Sequence, residues 1–157
     1  MITLKELLDS RDARAARQGE LLKQYPGRAL VCLTVQLPGP EKRNANSLKI
    51  ASAAVEAIEK VFKPAFKELR DLETGFEGYF IVEETPLQAK KKAVGIEETH
   101  PLGRLMDIDV PGMDRASAGL PPRKCLLCNN EVRYCMRAKS HTREELLKKI
   151  EKLCEAY

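Results

Sequence analysis

The triplet Asp107-Ile108-Asp109 is the part of the chain whose residue types and spacing best suit chemistry. In an extended segment alternate side chains share a face, which places the two carboxylates on one side with Cα atoms about 6.5 to 7 Å apart. Like charges so close repel each other, and a divalent cation such as Mg²⁺ relieves the repulsion by taking oxygen ligands from both. A metal held there neutralises phosphate oxygens and lowers the pKa of an attacking hydroxyl, as phosphoryl chemistry requires. The plain alternative for so short a pattern is a solvated strand face. Leu105 is expected to share the side of the acids, with Met106, Ile108 and Val110 turned toward the core.

Cationic residues flank these acids in the sequence. Gly103 and Arg104 stand just before them, so the backbone there permits close approach and a guanidinium sits beside an anionic site. Arg11 and Arg14 lie on the helical line of Leu7, Gln18 and Leu21, which aims them at the protein body. There they meet either acids of the fold or the phosphates of a ligand. Lys42 lies in a turn entering a helix, where a base and the helix-terminal N–H groups hold phosphate together.

Cys125, Cys128, Cys135 and His141 have the spacing of a compact Cys₃His zinc knuckle, whose four protein ligands make any Zn²⁺ there structural. Buried thiols or a redox pair are the alternatives, although no thioredoxin-type strand-to-helix context precedes the Cys-x-x-Cys. His100 is either a packing residue or a general base near the acids. With Glu97, Glu98 and Asp114 it forms the set from which a third metal ligand and a base would come. The chain has no Walker loop, Gly-x-Gly-x-x-Gly, Gly-x-Ser-x-Gly or Ser-His-Asp pattern.

The elements that must position these residues follow from periodicity. Thr3 with Glu6 reads as a capping box opening a first helix, and ALVCLTVQL at 29–37 reads as a buried strand stopped by Pro38-Gly39-Pro40. Asn44 or Asn46 caps a second helix, with a stripe through Leu48, Ala51, Val55, Ile58 and Phe62 that ends at Pro64. Three strands are expected next, at 78–84, 94–98 and 102–110, and Thr142 with Glu145 caps a last helix. This order implies an α+β (mixed α/β) domain over 1–157, with helices packed on a mixed sheet of about four to five strands. A Cys/His-containing loop at 120–141 precedes the terminal helix at 142–156.

With 157 residues, 43% hydrophobic and 32% charged, the chain suffices for one core. It has no membrane-span-length apolar run and no signal-peptide pattern, and its five cysteines are an odd number, so a cytoplasmic protein with reduced thiols is expected. The net charge of +4 and the arginines within 11–17 and 104–143 suit an acidic or phosphorylated partner. Only 5% of residues are aromatic and no base-reading motif is present, which argues against nucleic acid.

Four blocks, LLDSRDARAARQ at 7–18, LPGPEK at 37–42, HPLGRLMDIDV at 100–110 and LPPRKCLLC at 120–128, carry a family resemblance. The sequence resembles the citrate lyase holo-acyl-carrier-protein synthases, the phosphoribosyl-dephospho-CoA transferases. The resemblance implies transfer from a triphosphoribosyl-dephospho-CoA donor to a serine of the apo acyl carrier protein subunit, with release of pyrophosphate. It also implies a nucleotidyltransferase-like metal pair at Asp107 and Asp109 and basic positions at Arg11, Arg14, Arg104 and Arg123. Gly39 is placed between a strand and a helix as the glycine of such folds is, but the serine that usually follows is missing. The loop PGMDRASAG departs from the family pattern, so Arg115 and Ser117 inherit no role. The equivalent transferase for a malonate decarboxylase carrier, or a noncatalytic zinc-knuckle adaptor, are the competing readings.

Overall fold

The computed structural model describes residues 1–35 and 37–157. Its centre is β1 (Ala29–Val35), whose seven residues are all buried because both of its faces are covered. The strand pairs with β3 (Gly75–Val82) on one side and with β4 (Asp107–Asp109) on the other. A second strand, β2 (Phe66–Leu72), forms a hairpin with β3, so the sheet has four strands in the order β2-β3-β1-β4. Every pairing is antiparallel.

Alternation along β1 divides the interior in two. Val31, Leu33 and Val35 face the larger core, where α2 (Ala45–Phe62) and α3 (Pro86–Thr99) contribute Ile50, Ala54, Ile58, Ala89 and Ala93. Leu30 and Cys32 face a smaller core with Tyr79, Ile81 and Leu21 of α1 (Leu4–Gln24). Toward the C-terminus come α4 (Val132–Ala138) and α5 (Arg143–Ala156), and α5 adds Ile150 and Cys154 to the larger core. No helix among the described residues is long and apolar enough to cross a membrane.

The mixed α and β architecture and the expected helix starts are present. Capping boxes open α1 at Thr3 with Glu6 and α5 at Thr142 with Glu145, and Asn44 is the cap of α2. Two expected strands are corrected. Residues 94–98 belong to α3, because Thr85 and Gln88 form a capping box, Pro86 is pre-set for the first turn, and Ala89, Ala93 and Ile96 bury one helical stripe. The strand expected at 102–110 is three residues long, since Gly103–Leu105 form a 3₁₀ turn before it. That turn sends Leu105 against the larger core instead of the face of the acids, while Met106, Ile108 and Val110 are buried as expected. Neither β2, a charged edge strand, nor the short α4 was anticipated.

Arg17 ties α1 to β2: its Nη2 donates to Glu68 Oε1 at 2.8 Å and its Nε to Glu68 Oε2 at 3.2 Å. Bonding to Arg17 is the main reason Glu68 titrates below the usual glutamate range. A carboxyl depressed in the folded state adds stability above its unfolded pKa and loses it as the pH falls through the folded value. Arg17→Met is therefore expected to lower the urea midpoint near neutral pH and to have little effect in strong acid. An equal loss at both pH values would show that Arg17 acts through packing alone.

Candidate active site

The register of the sheet assembles more than the two expected acids. Thr34 on β1 stands opposite Asp107 on one side and Glu77 on the other, and Cys32 likewise stands between Asp109 and Tyr79. These six residues form two rows on the sheet face turned toward α1, which covers Cys32 and Tyr79 and leaves the acids at the edge open. Asp107 and Asp109 are exposed while Ile108 between them is fully buried, as the alternation requires. Thr34 Oγ1 donates to Asp107 Oδ2 at 3.3 Å, and Lys90 Nζ, on a side chain only 8% exposed, lies 3.6 Å from Asp109 Oδ1. Burial, helped by the charge of Asp109, pushes the Cys32 thiol up to about 12, so it stays protonated.

Glu77 is the third acid of this face, and it is buried. Tyr79 Oη donates to its Oε1 at 2.7 Å, and Arg14 Nη1 lies 3.8 Å from its Oε2. Burial first, and then the bond to Glu77, raise the Tyr79 hydroxyl above its ordinary range. A lone acid within the apolar run of GFEGYFIV was the sequence signal for Glu77. Lys90 had no comparable signal, because it lies in a run with Lys91 and Lys92, both of which are exposed.

β4 is anchored from behind by Glu97. Its Oε2 accepts from the Ile108 N–H at 2.9 Å and from Arg123 Nη1 at 3.1 Å, and its Oε1 accepts from Arg115 Nη2 at 2.7 Å. Arg123 also donates to the carbonyls of Met106, at 2.9 Å, and Arg104. Both oxygens of Glu97 are thus engaged in holding the strand. Gly103 completes the junction, because a Cβ there would lie 2.3 Å from the carbonyl oxygen of Glu97. The close approach that this glycine permits is to α3.

Apart from Arg14, the expected basic residues fall into two groups. Arg11, Lys42 and Gly39 gather with Arg143 at the loop after β1: Gly39 has φ +84° and packs against the Arg143 side chain. Burial, followed by the charges of Arg11 and Arg143, lowers the Lys42 pKa. Lys42 Nζ donates to the Leu37 carbonyl at 2.6 Å, and Ile2 N–H donates to the Pro40 carbonyl at 3.1 Å, which draws the start of α1 to this loop. Neither Arg11 nor Arg143 forms an ion pair among the described residues. Arg104 and Arg123 instead line a groove of about 350 Å³ with Leu37, Pro38 and Asp107, which joins the loop to the first of the two acids.

The remaining expected residues are occupied locally. His100 Nδ1 accepts from the Leu102 N–H at 3.0 Å and its ring lies against Tyr157. Burial lowers its pKa. Asp114 Oδ1 accepts from the Ser117 N–H at 2.7 Å, and Glu98 pairs with Arg115 at 2.9 Å. Cys125, Cys128, Cys135 and His141 do converge, with their ligand atoms all within 4.8 Å of one another.

The family model described as apo-citrate lyase phosphoribosyl-dephospho-CoA transferase matches residues 2–157. The chain belongs to this family. A Streptococcus pyogenes protein named "Probable apo-citrate lyase phosphoribosyl-dephospho-CoA transferase" is 34% identical over 99% of this chain and 87% of its own length. A Vibrio cholerae protein with the same name is 36% identical over 99% of the chain and 93% of its length. The phosphoribosyl-dephospho-CoA transferase family is thus matched over the sheet, the acids and the cysteine cluster together.

Arg14 and Arg11, one turn apart on α1, are expected to behave differently. Arg14→Met leaves buried Glu77 with Tyr79 as its remaining partner and should cost about 1 to 3 kcal/mol of stability. Arg11→Met breaks no ion pair among the described residues and should stay within about 0.5 kcal/mol. Urea unfolding of both variants measures this, and equal losses would contradict the assignment of Glu77 to Arg14.

Proposed function

We propose that this chain transfers the phosphoribosyl-dephospho-CoA group of 2'-(5''-triphosphoribosyl)-3'-dephospho-CoA to a serine of the apo acyl carrier protein (gamma) subunit of citrate lyase, releasing pyrophosphate. The serine oxygen bonds to the α-phosphorus of the donor as the bond from that phosphorus to the pyrophosphate oxygen breaks. The whole chain acts as one nucleotidyltransferase domain in the cytoplasm. The observation that supports this reading is the presence of two exposed acids on β4 and of a cluster of cations without acidic partners among the described residues, with a groove running from Asp107 to Leu37 and Pro38 of the loop that carries Lys42.

Asp107 and Asp109 suit Mg²⁺: both are exposed and offer oxygen only, and their protein contacts, Thr34 at 3.3 Å and Lys90 at 3.6 Å, leave most lone pairs free. Mg²⁺ bound there supplies charge neutralisation at the phosphates and activation of the serine hydroxyl. Arg11, Lys42 and Arg143, over the glycine turn at Gly39, hold the departing pyrophosphate, and Arg104 lines the groove for the donor. Arg123 and Gly103 keep β4 in register so that the acids stay on the open face. Arg14 holds the middle of α1 over the site through Glu77. The cysteine cluster carries a structural Zn²⁺.

Replacing Asp107 or Asp109 with Asn removes charge without removing packing, because both side chains are exposed. Each variant is expected to lose on the order of 10² to 10⁴ in transfer rate, a barrier increase of about 3 to 5 kcal/mol; Asp107→Asn should leave the melting temperature unchanged, whereas Asp109→Asn should also lower it, because buried Lys90 loses its carboxylate partner. The assay incubates enzyme, donor, Mg²⁺ and apo carrier and follows the carrier by mass spectrometry. Near wild-type rates for both variants would overturn the metal assignment, and an unmodified carrier with wild-type enzyme would overturn the transfer reading itself.

A further inference from the structure

The segment between Leu120 and α5 has almost no core of its own. From residue 120 to 141 only Cys125 and Cys135 are buried, and α4 exposes Tyr134 and Met136. A segment with so little apolar burial needs a crosslink or a metal to hold one shape. Among the described residues every cysteine is free.

Three separate local structures deliver the four ligand side chains to one point. The loop carrying Cys125 and Cys128 closes on itself, with the Cys125 N–H donating to the Asn130 carbonyl at 2.8 Å and the Leu127 N–H donating to Cys125 Sγ at 3.4 Å. Cys135 comes from α4, which ends at Lys139 in the left-handed region with φ 49°. His141 stands immediately before the cap of α5. The sulfurs of Cys128 and Cys135 are 3.4 Å apart. That is far beyond the ~2.05 Å of a disulfide, and near the ~3.8 Å edge of a tetrahedron with metal–sulfur bonds of ~2.3 Å.

The imidazole gives the second, independent observation. Nε2 of His141 is buried and has no hydrogen-bond partner, the one such side-chain atom among the described residues. Nδ1 faces Glu145 Oε2 at 3.8 Å, in the way an outer carboxylate orients a ligating histidine. Three thiols and one imidazole form a soft, four-donor set that selects Zn²⁺ over the hard cations suited to Asp107 and Asp109.

This cluster is wired to β4. Arg104 Nη1 donates to the carbonyl of Cys125 at 2.6 Å, and Arg123, two residues before that cysteine, donates to the Met106 and Arg104 carbonyls. Leu126, Val132 and Met136 from the same segment line the groove beside Asp107. We infer that Cys125, Cys128, Cys135 and His141 bind one Zn²⁺, and that this ion fixes the groove wall and, through Arg104 and Arg123, the strand that carries the acids. Only the description of that groove as the donor's path rests on the transferase reading.

The test uses the full chain, purified in reducing buffer without chelator. Elemental analysis should find about one zinc per chain, and exchange for Co²⁺ should produce thiolate-to-metal charge-transfer absorption. Cys128→Ser and His141→Asn should each lose most of the bound metal, whereas Cys32→Ser and Cys154→Ser should retain it. Zinc-free wild type that takes up neither Zn²⁺ nor Co²⁺ would overturn the site. Amide hydrogen exchange tests the coupling: removing the ion should speed exchange at least tenfold in residues 102–108 as well as in 121–141. Acceleration confined to 121–141 would overturn the coupling. None of these readouts depends on carrier modification, so a failure of the transfer reading would leave them intact.

Discussion

The site depends on holding a three-residue edge strand in register while two like charges stand on its open face. Among the described strands β4 pairs only with β1, at three positions, and a strand this short at the edge of a sheet frays readily when its side chains repel. Glu97 supplies the counterweight. It sits behind the strand, accepts the central N–H at Ile108, and is itself held by Arg115 and Arg123. A buried acid needs such partners, since uncompensated charge in the interior costs several kcal/mol. Arg123, one of the two arginines that neutralise Glu97, also donates to the Arg104 and Met106 carbonyls just before β4, so charge compensation and strand anchoring are one arrangement.

The same logic sorts the cations. Arg17, Arg115 and Arg123 have acid partners and serve the fold. Arg11, Lys42 and Arg143 gather around a glycine turn, where burial first and then the charges of the two arginines lower the lysine pKa. Mutually repelling cations are a cost to the fold unless an anion joins them, and multiply charged phosphate is an anion of the right kind. Burial of Lys90 beside Asp109 gives the acid pair one fixed cation from the opposite side.

Much of this was legible in the sequence, for reasons that differ by element. Helix starts declared themselves through capping boxes at Thr3 and Thr142 and through a cap at Asn44 or Asn46, of which Asn44 is the one used, and β1 through a strongly apolar run stopped by Pro38-Gly39-Pro40. The orientation of Asp107 and Asp109 followed from alternation alone. α3 was misread because its buried stripe is made largely of alanines, interrupted by Lys90, Lys91 and Lys92, which masks the helical period. Glu97 consequently looked like a ligand on a strand, and only the helix turns it onto the back of β4. The convergence of Arg143 with Arg11 and Lys42 joins residues more than a hundred positions apart, which no local pattern encodes. The cysteine cluster was readable because its ligands are near in sequence.

Anomalous diffraction from crystals grown with Mn²⁺ and pyrophosphate tests the central claim most directly. The account predicts a manganese peak between the carboxylates of Asp107 and Asp109, with pyrophosphate oxygens reaching Lys42, Arg11 or Arg143 across the groove. Manganese bound elsewhere, with this acid pair free in a crystal that leaves it open to solvent, would contradict it.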